Sequence, residues 1–162
     1  MIVTGWGSCL NCSAVRPGDP IGHTVFGLDA RKGTLAWAFS TRGPVETSPQ
    51  LYGSAVLVAT ERSVYSLAAS DGATVNWMRE VVAEGEHIEQ LAGHSKLGSL
   101  YVCTDRGYIH ALSLDTGDVL WAWQRPDGDA TGTLHIRPSE TDRHAYVSST
   151  AGWVAKLLLP PR

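Results

Sequence analysis

The sequence predicts an all-β fold: a β-propeller of four-stranded antiparallel blades, with about three and a half blades present. Two observations carry that prediction. One pattern recurs, in which an aromatic residue or His is followed two residues later by Leu, then by a polar turn ending in Gly, then by Trp. It is written as Phe26-Gly27-Leu28 to Gly33 and Trp37, as Tyr65-Ser66-Leu67 to Gly72 and Trp77, and as His110-Ala111-Leu112 to Gly117 and Trp121. A fourth copy, Trp153-Val154-Ala155-Lys156-Leu157, stops before its turn. The copies are also evenly spaced, with 39 residues from Leu28 to Leu67 and 45 residues for each of the next two steps, to Leu112 and Leu157. A period of ~40–50 residues is that of one propeller blade.

Each unit reads as short strands, taken here from the clearest copy. Residues 99–104 are β-branched, aromatic or apolar, and Asp105-Arg106-Gly107 follows as a tight turn. Residues 108–113 form the next strand, Asp115-Thr116-Gly117 the next turn, and 119–123 the outer strand. Two β runs joined by Asp-x-Gly signal a hairpin, because Gly takes the positive φ and Asp bonds its own backbone. A less apolar strand around 88–91 would be innermost. The second copy repeats the order at 50–51, 55–60, 64–67 and 75–78; the last copy offers 132–137, 145–149 and 152–159. The units span approximately 1–40, 44–80, 86–125 and 131–162, read as one partial propeller domain over 1–162. No window sustains a 3.6-residue period, and 82–90 is the one stretch where a short helix would fit.

Large aromatics at the turn exits have a packing role. Trp37, Trp77 and Trp121 would each cover their own sheet and meet the next blade, a burial worth a few kcal/mol at ~25 cal/mol/Å². Trp6, Trp123 and Trp153 lie outside that position and are expected to face a channel or solvent. The composition, 43% apolar and 18% charged, suits one core. A net charge of −3 without a basic stripe argues against nucleic acid. The longest apolar run, 154–159, is broken by Lys156 and falls far short of the ~20 residues that span a bilayer. No basic and apolar leader opens the chain, and both ends fall mid-blade. The expectation is therefore a piece of a larger propeller, or a partial ring that closes with a protein partner or as a homodimer.

Residues 111–121, Ala-Leu-Ser-Leu-Asp-Thr-Gly-Asp-Val-Leu-Trp, resemble the tryptophan-docking repeat of quinoprotein (pyrroloquinoline quinone, PQQ) propellers. Tyr101-Val102 and Asp105-Arg106-Gly107-Tyr108 extend the resemblance to the two preceding strands, and nearly the whole chain is covered. The family includes alcohol dehydrogenases, outer-membrane assembly propellers and cytosolic enzymes with an appended propeller, and it is often periplasmic. Gly5-Trp6-Gly7-Ser8 and Arg16-Pro17-Gly18-Asp19 are similar to a blade of the dehydrogenases. There the resemblance implies an Asn that helps hold calcium beside the quinone, where hard oxygen ligands suit the ion. Ser8 stands at the matching position. The family's catalytic Asp would follow Trp37, yet Ala38-Phe39-Ser40-Thr41-Arg42-Gly43-Pro44-Val45 contains no acid, and the adjacent Cys-Cys pair is missing. Without a base for the alcohol proton, hydride transfer loses its usual assistance.

Cys9-Leu10-Asn11-Cys12 has the spacing of half a zinc site, a redox pair, a local disulfide or two inert thiols; His23 is a third ligand candidate if Cys9 and Cys12 bind metal. Cys103 reads as core filler. His110 takes the place of Phe26 and Tyr65 and reads as a packing residue. His87, His94, His135 and His144 share no ligand spacing, and Glu84 and Glu86 are expected in a solvated connector. The functional expectation is a non-catalytic PQQ-like segment that binds or scaffolds protein, with no cofactor. The alternative is a fragment of a PQQ-dependent alcohol dehydrogenase, or a degenerate relative, with PQQ and calcium.

Overall fold

In a computed structural model of the chain, residues 2–6, 23–125, 134–139 and 141–160 are described, with 2–6 described as backbone. Fourteen strands form four antiparallel sheets among these residues, each a meander in chain order. The first sheet holds β1 (Ile2–Trp6), β2 (Thr24–Leu28) and β3 (Leu35–Ser40). The second runs β4 (Gln50–Tyr52), β5 (Ala55–Ala59), β6 (Ser63–Ala68) and β7 (Val75–Glu80). The third runs β8 (Ile88–His94), β9 (Ser99–Thr104), β10 (Tyr108–Ser113) and β11 (Val119–Gln124). The fourth holds β12 (Leu134–Pro138), β13 (His144–Ser149) and β14 (Trp153–Leu158). These sheets are the blades expected from the repeat. The 82–90 stretch is a correction, because it forms a turn followed by β8 and contains no helix. Its backbone is held by Ile88 N–H donating to Glu61 O at 2.9 Å, which starts the inner strand instead.

Blade faces are stacked, and burial follows position in the blade. Every residue of β9 is buried, because a central strand has neighbouring blades on both faces, so its sequence is a continuous apolar run rather than an alternation. The outer strands β7 and β11 bury one face at most. Val25 and Trp37 pack with Val56, Val58, Tyr65 and Leu67 between the first two blades. Leu57, Val64 and Trp77 pack with Ile88, Leu91, Leu100 and Leu112 between the second and third. Tyr101, Ile109 and Ala111 pack with Leu134, Ile136, Ala145 and Val147 between the third and fourth.

Tryptophan docking ties these layers together. Each of the first three blades carries a β-bulge at the same register, at Gly27/Leu28, Ser66/Leu67 and Ala111/Leu112. The extra residue bends the outer strand and re-aims its Trp. Trp37 Nε1 donates to Ala69 O at 3.3 Å and Trp77 Nε1 donates to Leu114 O at 2.9 Å, each in the turn of the following blade. Gly72 and Gly117 lie under those rings with φ of 61° and 73°.

Trp121 departs from the docking of Trp37 and Trp77 and is half-buried. The position matching Ala69 and Leu114 is Leu159, whose carbonyl already accepts from Arg143 Nε at 3.1 Å and Nη2 at 3.0 Å. Trp121 packs on Tyr101 of its own sheet, with ring centroids 5.8 Å apart, and against the core shared with the fourth blade, as expected of its packing role. Trp123 and Trp153 differ from the reading as channel- or solvent-facing residues. Both are half-buried against the core between the third and fourth blades, with the Arg125 guanidinium 5.6 Å from the Trp153 ring.

Candidate functional site

Ser8, Cys9 and Cys12, and the Arg16-Pro17-Gly18-Asp19 loop, lie outside the described residues. His23 is half-buried, and its carbonyl accepts from Thr41 N–H at 2.7 Å and from the Thr41 hydroxyl at 3.0 Å. That hydroxyl also lies 2.7 Å from Gly43 O. Arg42 N–H donates to Tyr65 Oη at 3.3 Å. The segment after Trp37, where the dehydrogenase resemblance would put a catalytic acid, is thus a backbone-locking connector. Among the described residues no three His, Cys, Asp or Glu side chains converge as a metal cluster.

Cys103 is fully buried, and burial pushes its thiol up to about 12, so it stays protonated as core filler. His94, at the end of β8, is buried and accepts from Leu97 N–H at 3.3 Å through Nδ1, a turn-fixing role. His87 Nδ1 lies 3.5 Å from Glu61 Oε1 at an exposed rim. His135 is exposed, and His144 Nδ1 lies 3.3 Å from Asp142 Oδ1. These histidines do not converge.

Glu86 corrects the expectation of a solvated connector. Glu84 is exposed, whereas Glu86 is only 8% exposed. The connector turns back on itself, with Glu86 N–H donating to Ala83 O at 3.3 Å, before β8 begins. Its carboxylate acts on His110, which stacks on Tyr108 at a centroid distance of 5.9 Å. Glu86 Oε1 and His110 Nε2 are both buried without a hydrogen-bond partner among the described residues. Desolvation holds the imidazole below its ordinary 6.5, and the Glu86 charge opposes that shift. No spacing signal in the sequence marks this pair.

Among the described residues, clefts lie between blades. An apolar one of about 380 Å³ is lined by Trp121, Ala122, Trp123 and Leu157-Leu158-Leu159-Pro160. A polar one of about 460 Å³ lies between the second and third blades, lined by Tyr52, Ser54, Ser66, Asn76, Ser95 and Asp115 among others. Its floor is built by the repeat. Ser66 pairs with Trp77 across the β6–β7 ladder, as Gly27 pairs with Trp37 and Ala111 with Trp121. Asn76 precedes Trp77 as Ala36 precedes Trp37. Asn76 Nδ2 donates to Ser66 Oγ at 3.2 Å. Aligning the copies on Trp would have marked both polar replacements in the sequence.

A sequence profile of the family described as outer membrane protein assembly factor BamB matches residues 18–152. Comparison with curated protein sequences gives no match. Among solved structures, BamB from Moraxella catarrhalis superposes with a TM-score of 0.66 at 20% identity, covering 85% of this chain and 44% of that one. Quinohemoprotein alcohol dehydrogenase ADHIIG from Pseudomonas putida HK5 gives 0.66 at 15% identity, with 85% of this chain and 31% of that one covered. The computationally designed Ika4 protein gives 0.67 at 16% identity, with 85% and 81% covered. At these identities the likeness is one of fold. This chain spans less than half the length of the BamB and dehydrogenase structures.

Proposed function

Since the chain belongs to the PQQ-type propeller family described as outer membrane protein assembly factor BamB, we propose that it is a non-catalytic propeller segment that binds or scaffolds other proteins. The observation that carries this reading is the connector after Trp37. Residues 38–45 supply no carboxylate, and the Thr41 hydroxyl there is committed to backbone carbonyls. An alcohol dehydrogenase uses a base to take the alcohol's hydroxyl proton, and this connector has no carboxylate to offer.

The far face of the fourth blade supports the binding half of the reading. Val154, Leu158 and Tyr146 are exposed there, at 73%, 68% and 52%. Lys156 Nζ sits 5.9 Å from the Tyr146 ring centroid. Ile109 and Ala111, which match Val154 and Lys156 in the previous copy, are fully buried by the next blade. An apolar patch with a cationic rim suits a protein surface. The partner is another protein or the remainder of a larger propeller, and a second copy of this chain is one that the face would accept.

Light scattering of the purified chain over a range of concentrations tests this, beside a Val154→Glu, Leu158→Glu double variant with unchanged circular dichroism. The wild type should gain mass with concentration and the variant should remain at the monomer mass. A wild-type chain that stays monomeric throughout would remove the second copy as a partner.

A further inference from the structure

We propose that the polar cleft between the second and third blades is a binding site for a neutral saccharide of about disaccharide size. The repeat provides an internal control for this reading. At the first junction the two positions beside the docking Trp are Gly27 and Ala36, and at the third they are Ala111 and Leu120. The second junction alone has a hydroxyl and a carboxamide there, Ser66 and Asn76, bonded to each other at 3.2 Å. The fold accepts apolar residues at these positions in the first and third blades, so the polar pair is particular to the second.

Gly27 shows what the change does. The Trp37 ring lies directly against Gly27, where an added Cβ would meet ring atoms at 2.2 Å. Ser66 has a side chain at the matching site, and with Asn76 it lines a cleft of about 460 Å³ between the second and third blades. That volume lies within the ~300–1,000 Å³ range of small-molecule sites.

The lining selects the ligand class. Three hydroxyls, at Ser54, Ser66 and Ser95, can each donate or accept, matching hydroxyl groups that do the same. Asn76 offers a carboxamide and Asp115 a carboxylate acceptor. Among the described residues no Lys, Arg or His lines the cleft, so the lining gives phosphates and other anions no counter-charge. Tyr52, Ala55 and Leu114 supply apolar surface for the C–H face of a sugar ring. Tyr52 is also fixed in place, because Gly93 N–H donates to its hydroxyl at 2.7 Å.

The test is an NMR titration of the isotope-labelled full chain with maltose, cellobiose and N,N′-diacetylchitobiose in the millimolar range, with spermidine as a cationic comparison. At least one disaccharide should shift the amides of Ser54, Ser66, Asn76 and Ser95 while leaving those of the first blade in place. Asn76→Ala restores the residue of the first copy and should therefore fold, yet weaken binding about tenfold; Asp115→Ala, at an exposed turn, should do the same. The proposal is overturned if no disaccharide moves these amides, if spermidine moves them and the sugars do not, or if binding survives both substitutions unchanged. None of these outcomes depends on the protein-binding reading of the fourth blade.

Discussion

Ser66, Gly27 and Ala111 occupy one register position opposite a Trp, and His110, Tyr65 and Phe26 occupy another. Comparing copies in this way isolates what single residues contribute. Tyr65 uses its hydroxyl to accept from Arg42 N–H, whereas His110 leaves Nε2 buried beside the Glu86 carboxylate. Burial holds the folded His110 below 6.5, so the unfolded chain takes up its proton first as pH falls. The stability contributed by the neutral ring is fully present above about 6.5 and is lost as pH drops below it toward the lowered folded value. A single proton limits the slope to ~1.4 kcal/mol per pH unit. Urea unfolding of wild type and His110→Tyr, the residue of the second copy, should show a shallower fall between neutral and mildly acidic pH for the variant. Equal slopes would remove His110 as the origin of the dependence.

Turns and docking strands set how blades are joined. Gly117 has φ of 73°, and a Cβ there would lie 2.5 Å from Trp77 Cε3. Gly53 has φ of 58° with open space around it. Gly53→Ala should therefore cost only the ~1–2 kcal/mol of left-handed backbone strain. Gly117→Ala should add displacement of the Trp77 ring, with a total approaching the ~3–5 kcal/mol of removing a buried Trp. Chemical denaturation of the two variants measures the difference, and equal losses would show that the ring is not locked against the turn. By contrast, the Arg79–Asp118 pair joining the same two blades is largely exposed, so it is worth at most ~1 kcal/mol.

The elements that sequence reasoning located are those fixed by local chemistry. Asp105-Arg106-Gly107 and Asp115-Thr116-Gly117 form their turns with Gly at positive φ, and the strands beside them begin and end within a residue or two of the β runs. The misread elements depend on partners distant in sequence. Glu86 is buried beside His110 of β10, more than twenty residues away, and nothing in the polar run 83–87 reports that. Trp121 fills the packing role of Trp37 and Trp77, but the carbonyl matching theirs belongs to Leu159 and is bonded by Arg143. The polar cleft was present in the sequence as Ser66 and Asn76, and it becomes visible only when the copies are compared at matching positions.

At the scale of the whole molecule, successive blades bury one another through separate cores, each shared by two neighbours. Stability in such an array comes from units and nearest-neighbour interfaces, which leaves loops and end faces free to carry function. No helix among the described residues is long and apolar enough to cross a membrane. The fold is shared by the BamB and dehydrogenase structures alike, so fold alone does not separate binding from catalysis. The central claim, that this propeller binds without catalysing, is tested most directly by dye-linked alcohol oxidation with the purified chain, PQQ and calcium. No turnover above the protein-free rate is expected. Robust turnover that Ser8→Ala abolishes would contradict it.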